Sequence, residues 1–209
     1  MASPPIDIRN APPVLPDEVF IPKEYLSDID HILVRQRCFN ERIHVMAEEI
    51  SRDFEHGNGL AVVVLKGGKY FSDHVLTHRM MNAKFEYRTV RATSYHGTES
   101  SGNVALESDI SEDGVKNKHV LLFEDIIDTG RTLDAITQHL LQMNPASVGI
   151  AAMLDKPERR TVAGIDSFIK YCGWIIPNKF VVGCGLDFDG KYRDLQHIAV
   201  LKPEVYHGK

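Results

Sequence analysis

Cysteine is scarce. Cys38, Cys172 and Cys184 are too few and too widely spaced for a disulfide framework or a zinc site, and they suit a reducing cytosol. A basic surplus is missing as well: 24 Lys+Arg face 29 Asp+Glu, a net charge of −5. Wholesale binding to nucleic acid or to an acidic membrane surface is therefore not expected. No apolar run reaches the ~20 residues of a membrane span. The start, Met1-Ala2-Ser3-Pro4-Pro5-Ile6-Asp7, has neither a basic opening nor an apolar stretch, so it is not expected to be a secretory signal. The expected location is cytoplasmic. What is present, 43% apolar and 25% charged residues in a chain of 209, fits one ordinary α/β domain with a sizeable core.

Proline is uneven. Six of the ten prolines (Pro4, Pro5, Pro12, Pro13, Pro16 and Pro22) fall in residues 1–22. Proline fixes φ and removes a donor, so this stretch is expected to be an extended arm, either a loose tail or one lying on the domain or a partner subunit. Residues 23–209 are expected to form one domain. Ile43, Ala47, Ile50 and Phe54 recur at helical spacing, and Asn40 is the expected cap of a helix from 40 to 54. Leu60-Ala61-Val62-Val63-Val64-Leu65 is continuously apolar, the pattern of a strand covered on both faces. A helix over 70–81, a strand over 87–95, a mobile loop over 96–114 and a buried strand over 119–123 follow. A helix opens after Gly130, then come strands over 147–154, near 180–183 and over 198–201. Alternating strands and helices predict a doubly wound, mostly parallel sheet flanked by helices, which binds ligands at the carboxyl ends of its strands.

Two segments lie at such ends: Lys66-Gly67-Gly68, and Glu124-Asp125-Ile126-Ile127-Asp128-Thr129-Gly130-Arg131-Thr132. In the second, Gly130 permits a left-handed backbone, so successive N–H groups can turn inward as a nest at a helix N-terminus. Thr129 and Thr132 add hydroxyls, and Arg131 adds charge. That is a site for one phosphate. The acids need another account. A carboxylate about 4 Å from a phosphate charge is repelled by roughly 4 kcal/mol at an effective dielectric near about 20. Glu124 and Asp125 are expected instead to accept hydrogen bonds from sugar hydroxyls or to hold Mg²⁺. A phosphate nest beside hydroxyl-seeking carboxylates describes a ribose 5-phosphate.

This string resembles the phosphoribosyl pyrophosphate (PRPP) signature of the type I phosphoribosyltransferases. Leu65-Lys66-Gly67-Gly68, Ser94-Tyr95, Leu154-Asp155-Lys156, Lys179-Phe180-Val181-Val182-Gly183, Leu186-Asp187 and Tyr192-Arg193-Asp194-Leu195 stand in the order and spacing of the hypoxanthine-guanine branch. The resemblance covers about residues 28 to 206. It implies the type I fold with a small hood over the purine site, and transfer of phosphoribose from PRPP to hypoxanthine or guanine. The products are IMP or GMP, with pyrophosphate released. Residue by residue, it implies that Lys66, Gly67 and Arg193 meet pyrophosphate, with the lysyl peptide cis. Glu124 to Thr132 would hold the phosphoribosyl group. Asp128 would be the catalytic acid near purine N7. Lys156 would donate to the 6-oxo group, Phe180 would stack on the base, and Lys179, Val181 and Asp187 would complete the purine wall. Asp187, with Glu124 and Asp125, would face Mg²⁺. Ser94 and Tyr95 would begin a closing loop, and a homodimer or homotetramer is implied.

Plainer roles exist for some of these residues: a turn acceptor for Asp128, core packing for Phe180, a surface ion pair with Asp194 or Glu204 for Arg193. Arg131 stands where lysine is common, and Cys184 and Gly185 where larger residues are. Two rival functions remain open: a xanthine-preferring sibling enzyme, and a PRPP-sensing regulator that binds nucleic acid, which the acidic charge opposes. Other motifs fail. Val63 and Tyr70 spoil a P-loop around Gly68-Lys69, Phe188 replaces the third glycine of a dinucleotide fingerprint, and Val75 stands where a zinc protease helix needs Glu.

Overall fold

The apolar runs fold as the centre of a seven-stranded sheet. The computed structural model describes residues 2–94 and 104–207. In chain order the elements are β1 (Ile6–Asp7), α1 (Lys23–Leu26), β2 (Ile29–Val34), α2 (Gln36–Asp53), β3 (Gly59–Leu65), α3 (Gly68–Leu76), β4 (Phe85–Ser94) and β5 (Val104–Ser108). They continue with α4 (Glu112–Val115), β6 (His119–Ile127), α5 (Arg131–Leu141), β7 (Ser147–Asp155), β8 (Ile169–Ile175), β9 (Val181–Val182), β10 (Ile198–Leu201) and α6 (Pro203–His207). The large sheet has the order β1-β8-β7-β6-β3-β4-β5. Its pairings are parallel except β4 with β5. Along β3, Ala61 and Val63 face a core shared with Phe39, Met46 and Phe71 of α2 and α3, while Leu60, Val62 and Val64 face Leu133, Ile136 and Leu140 of α5. A strand buried on both faces has no polar alternation, which explains the unbroken run. No helix among the described residues is long and apolar enough to cross a membrane.

Register places the chemistry. Val63 lies opposite Phe123, so Leu65 ends level with Asp125, and Gly67 and Gly68 after it turn back against Asp125 and Glu124. Ile127 lies opposite Asp155, so Lys156 emerges beside Asp128.

The hood is a separate antiparallel sheet, β2-β10-β9, over a core of Ile21, Ile29, Ile32, Val182, Leu195 and Leu201. Its strands come from opposite ends of the chain. The expected strands near 180–183 and 198–201 therefore belong to it and not to the large sheet.

The proline-rich arm lies on its own domain. Ile6 pairs with Trp174 at the β8 edge, Val14 bridges to Ile32, and Arg42 donates to the Pro4 and Cys172 carbonyls at 3.0 and 2.6 Å. Helix boundaries also differ from expectation. Helix α2 starts at Gln36, not Asn40, because a distant residue serves its first turn: the Gln36 N–H donates to His197 Nδ1 at 3.0 Å. Helix α3 ends at Leu76, where the Thr77 hydroxyl donates to the Asp73 carbonyl at 2.7 Å and the backbone leaves the helix.

Candidate active site

The segment from Glu124 to Leu133 wraps a cavity of about 200 Å³. Glu124, Asp125, Ile126, Ile127, Asp128, Thr129, Gly130 and Thr132 all line it. Gly130 has φ +84° and stands directly before α5. The first N–H groups of a helix have no intrahelical partner, so they point to this space with the positive end of the helix dipole. Arg131 differs from the expectation. Its side chain is exposed and is not part of the cavity wall.

The loop is braced from outside. Arg160 donates to the Asp128 carbonyl at 2.7 Å and pairs with Asp155 and Asp166. The Thr161 N–H donates to the Thr129 carbonyl at 3.0 Å. Arg159 Nε donates to Asp128 Oδ1 at 2.8 Å. Neither arginine was singled out in the sequence. The available signal was two consecutive arginines just after a strand end that already carried Lys156.

Across the sheet end, the Leu65–Lys66 peptide is cis. Gly67 packs so closely on the acids that a Cβ there would collide with the Asp125 carboxylate. Lys66 itself is exposed. Glu124 is buried and Asp125 half-buried, side by side at the end of β6. Burial pushes Glu124 well above the usual carboxylate range, and the Asp125 charge pushes it further. Burial raises Asp125 too, against the pull of the Glu124 and Ile126 hydrogen bonds and of the Arg193 charge. A desolvated acid pair of this kind favours a cation in place of its proton.

The base side is assembled from separate segments. Lys156 is buried, and burial lowers its pKa while the nearby Asp128 charge opposes that shift. Asp187 pairs with Arg193 Nη2 at 2.6 Å and accepts the Gly190 N–H at 2.9 Å. Arg193 Nη1 also donates to the Gly185 carbonyl at 2.5 Å. Val181 is buried and pairs with Val200 in the hood, Phe180 is half-buried, and Lys179 is exposed. Ser94 ends β4, and Tyr95 lies outside the described residues. Among the described residues no three His, Cys, Asp or Glu side chains converge as a metal cage. A larger cavity, about 540 Å³, lies between the arm and α2, lined by Ile6, Val14, Leu33 and Trp174 among others, and touches none of these groups.

A phosphate-sized nest, an acid pair and a glycine loop thus stand at the carboxyl ends of parallel strands. The phosphoribosyl transferase domain model matches residues 33–189. The chain is 41% identical over 182 residues to a Lactococcus lactis protein named hypoxanthine-guanine phosphoribosyltransferase, covering 86% of this chain and 94% of that one. It is 33% identical over 181 residues to a hypoxanthine-guanine-xanthine phosphoribosyltransferase of Tritrichomonas foetus, covering 87% and 96%. The crystal structure of a hypoxanthine phosphoribosyltransferase from Staphylococcus aureus superposes with a TM-score of 0.79 at 33% identity, covering 90% of this chain and 99% of that one. The protein belongs to the phosphoribosyl transferase domain family and, within it, to the hypoxanthine-guanine phosphoribosyltransferases.

Proposed function

We propose that the protein transfers the 5-phosphoribosyl group of PRPP to N9 of hypoxanthine or guanine, giving IMP or GMP and pyrophosphate. One observation carries this: the nest of residues 128–132, the acid pair and Lys156 share one end of the parallel strands, and Arg193, paired with Asp187, is close enough for its charge to act on Asp125.

Loop amides and the Thr129 and Thr132 hydroxyls hold the 5-phosphate. Glu124 and Asp125 accept from the ribose hydroxyls. Lys66, Gly67 and Arg193 hold the pyrophosphate, Arg193 exchanging its Asp187 partner for phosphate oxygens in planar bidentate form. The acids suit Mg²⁺, a hard cation that takes one or two carboxylates and fills its shell with water and phosphate oxygens. Glu124, Asp125 and Asp187 are its proposed ligands. When bound, Mg²⁺ neutralises and orients the leaving pyrophosphate.

The base is read on the other side. Lys156 donates to the 6-oxo group. Adenine presents a donor there and would leave the buried ammonium unpaired, a mismatch that discriminates strongly. Phe180 stacks on the ring, while Lys179 and the backbone of Val181 and Asp187 complete the wall. As N9 bonds to C1′, the C1′–O bond to pyrophosphate breaks and the leaving group takes the electron pair. The ring proton passes to Asp128, whose charge Arg159 compensates. Ser94 and Tyr95 begin the loop that closes the site against water. A homodimer or homotetramer and a cytoplasmic location complete the proposal. Exposed Phe20 and Leu15 on the arm support the first and three unpaired thiols the second.

The test is a rate panel with PRPP, Mg²⁺ and each of four bases. Hypoxanthine and guanine turn over and adenine does not. Absence of turnover with both oxopurines would remove the assignment, and faster turnover of xanthine would move it to the xanthine-preferring sibling.

A further inference from the structure

We infer that Tyr206 is a positioning residue for the purine, acting through Phe180; this rests on the proposal that Phe180 stacks on the base. The two rings lie nearly parallel, with centroids 4.8 Å apart and planes 21° apart. Phe188 meets Phe180 edge-on at 5.4 Å and 83°. The backbone is held from the same direction: the Leu201 N–H donates to the Phe180 carbonyl at 3.0 Å, and Leu201 leads directly into α6, which carries Tyr206. Phe180 nevertheless stays half-buried.

A phenyl ring has two faces, and Tyr206 covers one. The opposite face is then the one that receives the base, and the ring that receives it is already held in plane. Without Tyr206 the Phe180 side chain regains rotamer freedom, which must be lost again each time a purine binds. Aromatic pairs of this geometry are worth enough to alter affinity by a roughly two- to tenfold factor. Because Tyr206 touches neither the phosphate loop nor the acids, the effect falls on the base alone.

The experiment is steady-state kinetics on Tyr206→Ala, Tyr206→Phe and Phe180→Leu, with melting temperatures recorded for each. In Tyr206→Ala, KM for hypoxanthine and guanine rises roughly two- to tenfold, while kcat and KM for PRPP stay near wild type. Tyr206→Phe restores the wild-type KM, since a stacked ring is all that is required. In a Phe180→Leu background, Tyr206→Ala adds nothing further, because both changes remove one stack. Unchanged purine KM in Tyr206→Ala, an equal rise in both KM values, or full additivity with Phe180→Leu would each overturn the inference. If Tyr206→Ala does not fold, Tyr206→Leu with the same readout decides it. Failure of wild type to use either oxopurine instead sinks the proposed function, so the two failures are distinct.

Discussion

The phosphate side and the base side of the site are built by different means. The phosphate side is built on one stretch of chain, β6, its turn and α5, held between β3 and β7 by parallel pairing on both flanks, with the Gly67 loop after β3 packed against its acids. Its geometry follows from local rules, a buried strand delivering acids to a sheet end and a left-handed glycine opening a helix. The base side joins Lys156, from the end of β7, to Phe180, Asp187, Arg193 and Tyr206, which lie in and around a three-stranded sheet whose β9 is two residues long. It is held by cross-links: Tyr192 to Asp28 at 2.7 Å, Tyr25 to Asp194 at 3.0 Å, and His197 to the start of α2. Steric tolerance is therefore near zero on the first side and graded on the second.

Asp128 sits at the seam, on the phosphate loop but serving the base, and gives the largest expected effect. Asp128→Asn keeps an oxygen for Arg159 Nε, so the loop persists while the proton acceptor is lost. We expect kcat to fall about 10²–10⁴-fold with KM for PRPP little changed. A change in KM alone would show that Asp128 only shapes the loop. The next effect tests intolerance on the phosphate side. In Gly67→Ala the new methyl meets the Asp125 carboxylate, so the glycine loop or the acid pair must shift. Displacement of that size costs about 10²-fold, here in kcat/KM for PRPP. A Gly67→Ala enzyme of wild-type efficiency and stability would erase the contrast between the two sides.

Legibility in the sequence follows the same division. The strands β3, β6 and β7 could be read because each is continuous in the chain and covered on both faces, and the string from Glu124 to Thr132 because it is one unbroken stretch of chain. Strand β8, Ile169–Ile175, escaped notice because Lys170 and Gly173 interrupt its apolar pattern. Strand β2 escaped because Asp30 and His31 interrupt its apolar run between Ile29 and Ile32. Helix α2 begins four residues before Asn40 because its cap, His197, is supplied from 161 residues away. Arg160 and Tyr206 act through partners that only tertiary folding brings near, and no local pattern marks them.

His197 offers the smallest and most selective test, since it joins the hood to α2. It is buried, and its Nδ1 accepts the Gln36 N–H, which requires the imidazole to be neutral on that nitrogen. Burial lowers its pKa below the ordinary 6.5, the Arg35 charge adds to the fall, and the Phe20 backbone opposes it. A depressed pKa in the folded state means that the unfolded chain takes the proton first as pH drops. The stabilisation is then complete above about 6.5 and is lost as pH falls through the folded value. Melting curves from pH 8 to pH 5 should show this as a decline, and His197→Asn should start from a lower Tm but decline less. A difference of roughly 1 kcal/mol corresponds to about 2–4 °C in a chain of this size. Because the hood carries Phe180 and the large sheet carries the acid pair, KM for the base should rise over that pH range before KM for PRPP does. Parallel rises in both, or the same pH slope in wild type and His197→Asn, would mean that the two sides are not separately held.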